Sequence, residues 1–264
     1  MRPAALTGIQ GWEERYGLYG AIGAYALAAR RYMDSYGLDE SHLGAYAIAC
    51  RKWAAGNPLA LARAPLDLAS YLDSRFVVEP FRVLDCALPV NGAAAAILTT
   101  IDRAADARAA VAYIHGMGQG HSGISALWVD EDARTGGRAA GNRAMAMAGV
   151  AAKDITMCQF YDAFSYSGLF ALEEYGLCAR GEAGHFVAEG HTSPGGALPV
   201  NTGGGQLSSY YLQGMTPFSE AAIQARCRGG SRQVERNDII LVNGSGGCLE
   251  FHAALIMSPH KALS

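Results

Sequence analysis

The segment Cys158-Gln-Phe-Tyr161-Asp162-Ala-Phe-Ser165 sets a phenol beside a carboxyl where an extended run gives way to a helical one. A junction of that kind points side chains and helix-end amides into a shared cleft, so Tyr161 and Asp162 are candidates for proton transfer or ligand binding. The same two residues also read as a core aromatic and a helix N-cap. A second constellation is Asn201-Thr-Gly203-Gly204-Gly205-Gln-Leu-Ser-Ser-Tyr210-Tyr211. Its glycines let backbone approach an anionic or carbonyl oxygen, although a flexible loop has the same composition. As a phosphate motif it is weak, because G-x-x-x-x-G-K-[ST] is absent. The third is Asn243-Gly-Ser-Gly246-Gly247, after an extended run. Its amides could form an oxyanion hole, and a tight hairpin turn would look alike.

Other reactive side chains fall into no such pattern. His115, His121, His185 and His191 lie in glycine-rich settings without H-x-x-x-H or H-E-x-x-H spacing, which argues against a metal site. Lys52, Lys153 and Lys261 sit in no apolar setting that would prepare an amine for imine chemistry. The six cysteines, Cys50, Cys86, Cys158, Cys178, Cys227 and Cys248, include no C-x-x-C pair, so reduced and mostly buried thiols are expected. The start, Met1 to Gln10, lacks the charged-then-apolar order of a signal peptide, and no long apolar stretch suggests a membrane span. A cytoplasmic protein is the resulting expectation.

The elements that must position these groups are those of a layered α/β protein. The chain has 264 residues, 50% apolar and 17% charged, with 33 glycines. That composition excludes general disorder, a coiled coil and a collagen. A net charge of -3, from 24 acidic and 21 basic residues without long runs, provides no surface for nucleic acid. Helices are predicted over 18–36, ended by Gly37, and from Ser41 to the Asn57-Pro58 step. Prolines 58, 65, 80 and 89 punctuate an irregular excursion with short extended pieces at Val77-Val78 and Val83-Leu84. Buried strands are expected over 93–100 and 110–115, then a helix over 138–150, an extended run over 154–160 and helices over 165–175 and 219–228. Strands over 239–243 and 253–257 close the pattern, and the glycine-rich loop 176–210 is the natural place to build a site.

Taken in order, several stretches resemble the thiolase superfamily, in its sterol carrier protein X branch, and most of all the steroid side-chain-cleaving aldolases. They are Tyr25-Ala-Leu-Ala-Ala-Arg-Arg-Tyr32-Met-Asp-Ser-Tyr-Gly37, Asn57-Pro58, Pro80-Phe-Arg-Val-Leu-Asp-Cys86, Asn91-Gly-Ala-Ala-Ala-Ala, Tyr161-Asp-Ala-Phe164, Glu173-Glu-Tyr-Gly-Leu-Cys178, Gly181-Glu182, Leu198-Pro-Val-Asn-Thr-Gly-Gly204 and 243–247. The match extends over nearly the whole chain. It implies an α/β, thiolase-like layered α-β-α-β-α fold that lacks the N-terminal part of its first lobe, with residues 1–105 as the remainder of that lobe and 106–264 as the C-terminal lobe.

The departures from the family pattern decide the implied chemistry. A thiolase carries Asn-Glu-Ala-Phe where this chain has Tyr161-Asp162-Ala163-Phe164, a histidine where it has Tyr211, and a cysteine that 243–247 lacks. Paired tyrosines at these positions resemble the aldolases that cleave a 17-hydroxy steroid acyl-CoA to a 17-ketosteroid and propionyl-CoA. Tyr161 and Tyr211 would then be catalytic, with Tyr210 the alternative to Tyr211 under a one-residue shift. Asp162, Asn201, Gly203, Gly204, Gly246 and Gly247 would hold substrate or its oxyanion. Retro-aldol cleavage needs no metal or covalent nucleophile, and no cofactor is implied beyond the coenzyme A of the substrate. The resemblance further implies a homodimer and an associated OB-fold, zinc-ribbon acyl-CoA-associated protein. The alternatives are a sterol carrier protein X-like acyl-CoA thiolase and a non-catalytic acyl-CoA or lipid-binding subunit.

Overall fold

The computed structural model describes residues 8–18, 20–122 and 136–263. Its helices are α1 (Gly8–Arg15), α2 (Gly20–Tyr36), α3 (Glu40–Ala55), α4 (Leu68–Asp73), α5 (Ile101–Ala104), α6 (Gly136–Ala148), α7 (Ser165–Glu174), α8 (Ala183–Ala188) and α9 (Met215–Ala225). Its strands are β1 (Phe76–Val78), β2 (Phe81–Arg82), β3 (Tyr113–His121), β4 (Met157–Gln159), β5 (Ile240–Gly246) and β6 (Phe251–Ser258). The expected termini of α2 and α3 have visible causes. Gly37 stops α2 in the left-handed conformation, at φ 67°. Asp39 caps α3 through its carboxylate, which accepts the Ser41 amide at 2.9 Å.

β3, β6, β5 and β4 lie side by side in that order. β4 runs parallel to β5, pairing Cys158 with Leu241, whereas β5–β6 and β3–β6 are antiparallel. The sheet therefore separates two apolar layers. Cys158, Leu241, Ala254 and Ile256 face a core shared with α2, α3, α6 and α7. Met157, Ile240, Val242 and Met257 face Ala221 and Ala225 of α9, with Trp53 of α3. The first core holds Tyr25 and Tyr46 together with Leu241 and Ile256, so side chains from either side of residue 105 share it.

β3 shows how closely the layers meet. A Cβ added to Gly116, Gly118 or Gly120 would lie 2.0, 2.1 or 1.9 Å from a carbonyl oxygen of Ala144, Ala140 or Gly136. Three alternate glycines thus let the α6 backbone rest directly on the strand, which no side chain at those positions would permit.

Several expected elements are corrected. Residues 93–100 form no strand, and Ile97 and Leu98 are 96% and 74% exposed. Among the described residues no neighbouring strand meets this segment, and an apolar run without a partner cannot satisfy its backbone as a strand. The strands among those residues form one four-stranded sheet and the two-stranded pair β1–β2. Val83-Leu84 belongs to a single 3-10 turn over Val83–Asp85, closed because the Asp85 carboxylate accepts the Arg82 amide at 2.8 Å. α9 begins four residues before the expected Ser219. Its Pro217 lies in the first turn, where the missing amide would have had no intrahelical partner. Finally, β5 continues through Gly246 instead of ending near Asn243.

Candidate active site

The C-terminal ends of the parallel strands β4 and β5 create the setting, since ligand crevices in α/β sheets form beyond such ends. The chain leaves β4 at Gln159 and turns at Tyr161. The Tyr161 amide donates to Asn243 Oδ1 at 2.7 Å, which fastens the turn to β5. Tyr211 arrives from the far side of the glycine-rich loop, in extended backbone that bridges to Pro89. The two hydroxyl oxygens lie 2.6 Å apart, and the rings meet edge to face with centroids 6.0 Å apart. Both side chains are partly exposed, so the pair can meet a ligand.

Burial, together with the Tyr211 hydroxyl, pushes the Tyr161 pKa well above the usual tyrosine range. Tyr161 therefore remains a phenol at neutral pH. The short contact suits the passing of one proton between two phenols.

Tyr210 and Tyr211 point to different neighbourhoods. Tyr211 meets Tyr161, whereas Tyr210 lines a small cavity with Phe160, Asn201, Gly203, Thr216 and Glu220. The extended backbone at Tyr210, φ -159° and ψ 151°, is what sends successive side chains to opposite sides.

Asp162 lies beneath the pair, not on its surface, and is 0% exposed. Its carboxylate accepts the Gln206 amide at 2.8 Å, and the Cys50 thiol points to it at 3.6 Å. Burial raises the Asp162 pKa to about 7, against the opposing pull of the Gln206 amide and the Asn201 side chain. Asn201 is 1% exposed and holds a left-handed φ of 52°. Its Oδ1 accepts the Phe160 amide at 2.6 Å, while its Nδ2 donates to the Tyr46 hydroxyl at 3.0 Å. These two residues thus clamp the glycine loop to the β4 turn. In this arrangement neither offers a free polar atom to a substrate.

The glycines expected to cradle an oxygen are packed as well. A Cβ at Gly204 would meet Ala54 of α3 at 2.6 Å, and one at Gly203 would meet Glu220 at 2.9 Å. Gly205 starts a five-residue π-helical turn, Gly205–Ser209, at φ 60°. A Cβ there would fall 2.1 Å from Asp162 Oδ2. The third constellation is the hairpin its composition allowed. Asn243 to Gly246 pair with Ala254 to Phe251, and Gly246 closes that ladder instead of presenting a free amide turn. Gly247, at φ 63°, follows in the turn, and its carbonyl accepts the Tyr25 hydroxyl at 3.4 Å.

Behind the loop lies a polar buttress. Arg232 donates from Nε and Nη2 to the two oxygens of Glu220, both at 3.0 Å, and Thr202 Oγ1 donates to the same carboxylate at 2.9 Å. Gln159 reaches Thr202 at 2.8 Å, so the end of β4 is tied to this network. Sequence reading did not single out Gln159, Thr202, Glu220 or Arg232. The pairing of Glu220 with Arg232 joins residues 12 apart across the end of α9, a separation with no motif.

Four of the six thiols are held in the neutral form. Cys50 and Cys158 are fully buried, and burial lifts both well above the usual thiol range. Burial likewise raises Cys86 and Cys178 to about 12. A thiolate is disfavoured at all four positions.

Residues 118–259 match the family described as "Thiolase C-terminal domain-like". The chain belongs to this family. A 17-hydroxy-3-oxo-4-pregnene-20-carboxyl-CoA lyase from Mycobacterium tuberculosis is 35% identical, over 80% of this chain and 56% of the relative. A steroid side-chain-cleaving aldolase from Thermomonospora curvata is 34% identical, over 89% of this chain and 62% of the relative. The chain thus spans somewhat over half the length of these relatives. A solved structure described as an Ltp2-ChsH2(DUF35) aldolase aligns with a TM-score of 0.86 and 30% identity, covering 99% of this chain and 70% of that one. The thiolase-like α/β architecture implied by the sequence is therefore the observed one, in its steroid-aldolase-like form.

Proposed function

We propose that this thiolase-family chain is the catalytic part of a retro-aldol lyase that cleaves a β-hydroxyacyl-CoA steroid side chain. The observation that carries the reading is the 2.6 Å contact between the Tyr161 and Tyr211 hydroxyls at the end of the parallel strand pair. The name of the relative at 35% identity supplies the substrate class, a 17-hydroxy steroid bearing a 20-carboxyl-CoA, and that of the relative at 34% supplies side-chain cleavage of a steroid.

The step balances without a free phenolate. As the substrate hydroxyl passes its proton to one tyrosine oxygen, that tyrosine passes its own proton to the second, and the second gives its own proton to the α-carbon of the thioester in the same movement. The bond between the carbinol carbon and that α-carbon breaks as the proton arrives, its electron pair forming the new carbon-hydrogen bond. The products are the 17-ketosteroid and propionyl-CoA, and both tyrosines end as phenols. Such a relay suits Tyr161, whose surroundings oppose ionisation, because no charge is parked on its oxygen.

The solved relative described as Ltp2-ChsH2(DUF35) supports a second protein in the active assembly, in keeping with the expected OB-fold, zinc-ribbon partner. A homodimer and a cytoplasmic location complete the proposal. Among the described residues no helix is long and apolar enough to cross a membrane. The test is incubation of the purified protein, alone and co-expressed with that partner, with the steroid acyl-CoA, followed by mass spectrometry. A ketosteroid with propionyl-CoA supports the reading. A thiolysis product, or unchanged substrate under both conditions, refutes it.

A further inference from the structure

Tyr25, on α2, is a third tyrosine at this site. Its side chain is 3% exposed, and its two ends touch different parts of the site. The ring packs on Phe164, with centroids 4.9 Å apart. Phe164 follows Tyr161 by three residues and is itself stacked on Phe81, at 5.1 Å and 4°. The hydroxyl reaches the turn between β5 and β6, where it donates to the Gly247 carbonyl at 3.4 Å. Ser245, near the end of β5, and Leu249, in the turn, lie close to the same hydroxyl, and Ser245 Oγ makes no hydrogen bond among the described residues. Gly247 and Leu249 both hold left-handed backbone, at φ 63° and 68°. For a leucine that conformation is costly and requires surrounding structure to hold it.

The two contacts converge on one piece of geometry. Tyr161 is fastened by its amide to Asn243, two residues before Ser245 on the same strand. Tyr25 spans from the chain just after Tyr161 to the strand end just after Asn243. It therefore closes a brace around the segment that carries the first tyrosine. Burial pushes the Tyr25 pKa far above the usual range, so its hydroxyl is a fixed neutral dipole at working pH. Tyr25 also lies within electrostatic reach of both Tyr161 and Tyr211.

We propose that Tyr25 is a positioning residue for the Tyr161–Tyr211 pair, bracing Phe164 with its ring and the 245–249 turn with its hydroxyl, so that the two reacting hydroxyls stay in contact. This inference rests on the retro-aldol reading for its catalytic consequence, but the brace itself can be measured without substrate. Tyr25→Phe keeps the ring and removes only the hydroxyl. Its kcat for retro-aldol cleavage should fall about tenfold, equivalent to one modest interaction at the transition state, with KM within about twofold and a shifted pH profile of kcat. Amide hydrogen exchange at 245–249 should quicken about tenfold, by the same equivalence between free energy and rate. Ser245→Ala, which removes a hydroxyl at the end of β5 beside the Tyr25 hydroxyl, should move kcat in the same direction and guards against misfolding of the Tyr25 variant.

A Tyr25→Phe protein with wild-type kcat, pH profile and turn exchange would overturn the inference. So would a loss of kcat in proportion to a lowered melting temperature with an unmoved pH profile and a silent Ser245→Ala. If the wild type itself cleaves nothing, the retro-aldol reading fails on its own. The exchange data then decide the brace, and unchanged exchange overturns it.

Discussion

Asn243 Oδ1 accepts the Tyr161 amide at 2.7 Å, so the first tyrosine of the pair takes its place from β5, the strand parallel to its own. The side chain of one strand end thereby orients the backbone of the next. Asn243→Ala should leave that amide without its acceptor and free the turn. The expected result is a fall in turnover of about tenfold with a loss of about 1–2 kcal/mol in stability, read by steady-state kinetics and urea melts. Unchanged turnover would show that Tyr161 is positioned by other contacts.

Gly205 and Asp162 define the tightest tolerance in the site. Gly205→Ala would need a left-handed alanine and would drive its Cβ to 2.1 Å from Asp162 Oδ2. A destabilisation of about 2 kcal/mol or more is expected, since overpacking a well-packed interior typically costs 1–3 and the backbone strain adds to it. Chemical denaturation measures it directly. A neutral outcome would mean that the loop can move away from Asp162 freely.

Asp162 also gives the fold a pH dependence whose sign can be worked out. Its folded pKa is raised to about 7, above the ordinary carboxyl value of 3.8. Between those values the folded state binds the proton that the unfolded state releases, so stability falls as pH rises toward 7 and then levels off. The raised carboxyls of Asp85 and Glu173 act in the same direction. Buried His252, lowered to about 4, acts oppositely and removes stability as pH falls from about 6.5 toward 4. Asp162→Asn should therefore gain stability relative to the wild type at pH 8 compared with pH 5, as read by melting temperature. An identical difference at both pH values would contradict the shift.

The sequence was most informative where local chemistry dictates the answer. Gly37 marks the end of one helix and Ser41 lies within one residue of the start of the next, and the tyrosines at 161 and 211 stand out through their place in a family pattern. The roles of Asp162 and Asn201 were not legible. A buried carboxyl that clamps a loop and an exposed one that meets a substrate carry the same residue type, and only the packing of Cys50, Tyr46 and Gln206 separates them. The run 93–100 failed for a related reason. Apolar composition indicates that a segment seeks a partner, but it does not say whether the described residues supply one. Asn243–Gly247 admitted two readings from the start, and pairing with β6 selected the hairpin.

Alkylation probes the absence of a thiolate step. Cys248 is the cysteine nearest the hairpin turn in sequence, following Gly247 directly. A Cys248→Ala protein treated with iodoacetamide should keep its turnover, because Cys50 and Cys158 are buried, Cys86 and Cys178 are partly buried, and all four have raised pKa values. Stoichiometric inactivation with a single labelled cysteine would overturn the tyrosine mechanism.

The central claim is that Tyr161 and Tyr211 act as one proton-transfer unit, and a double-mutant cycle on turnover tests it most directly. Tyr161→Phe and Tyr211→Phe should each lower kcat by about 10²-fold or more while nearly sparing acyl-CoA binding, within the range that proton transfer commonly contributes. The double variant should then be no slower than the slower single variant, because a broken relay cannot be broken twice. Losses that multiply in the double variant, or wild-type turnover in either single one, would contradict the shared relay.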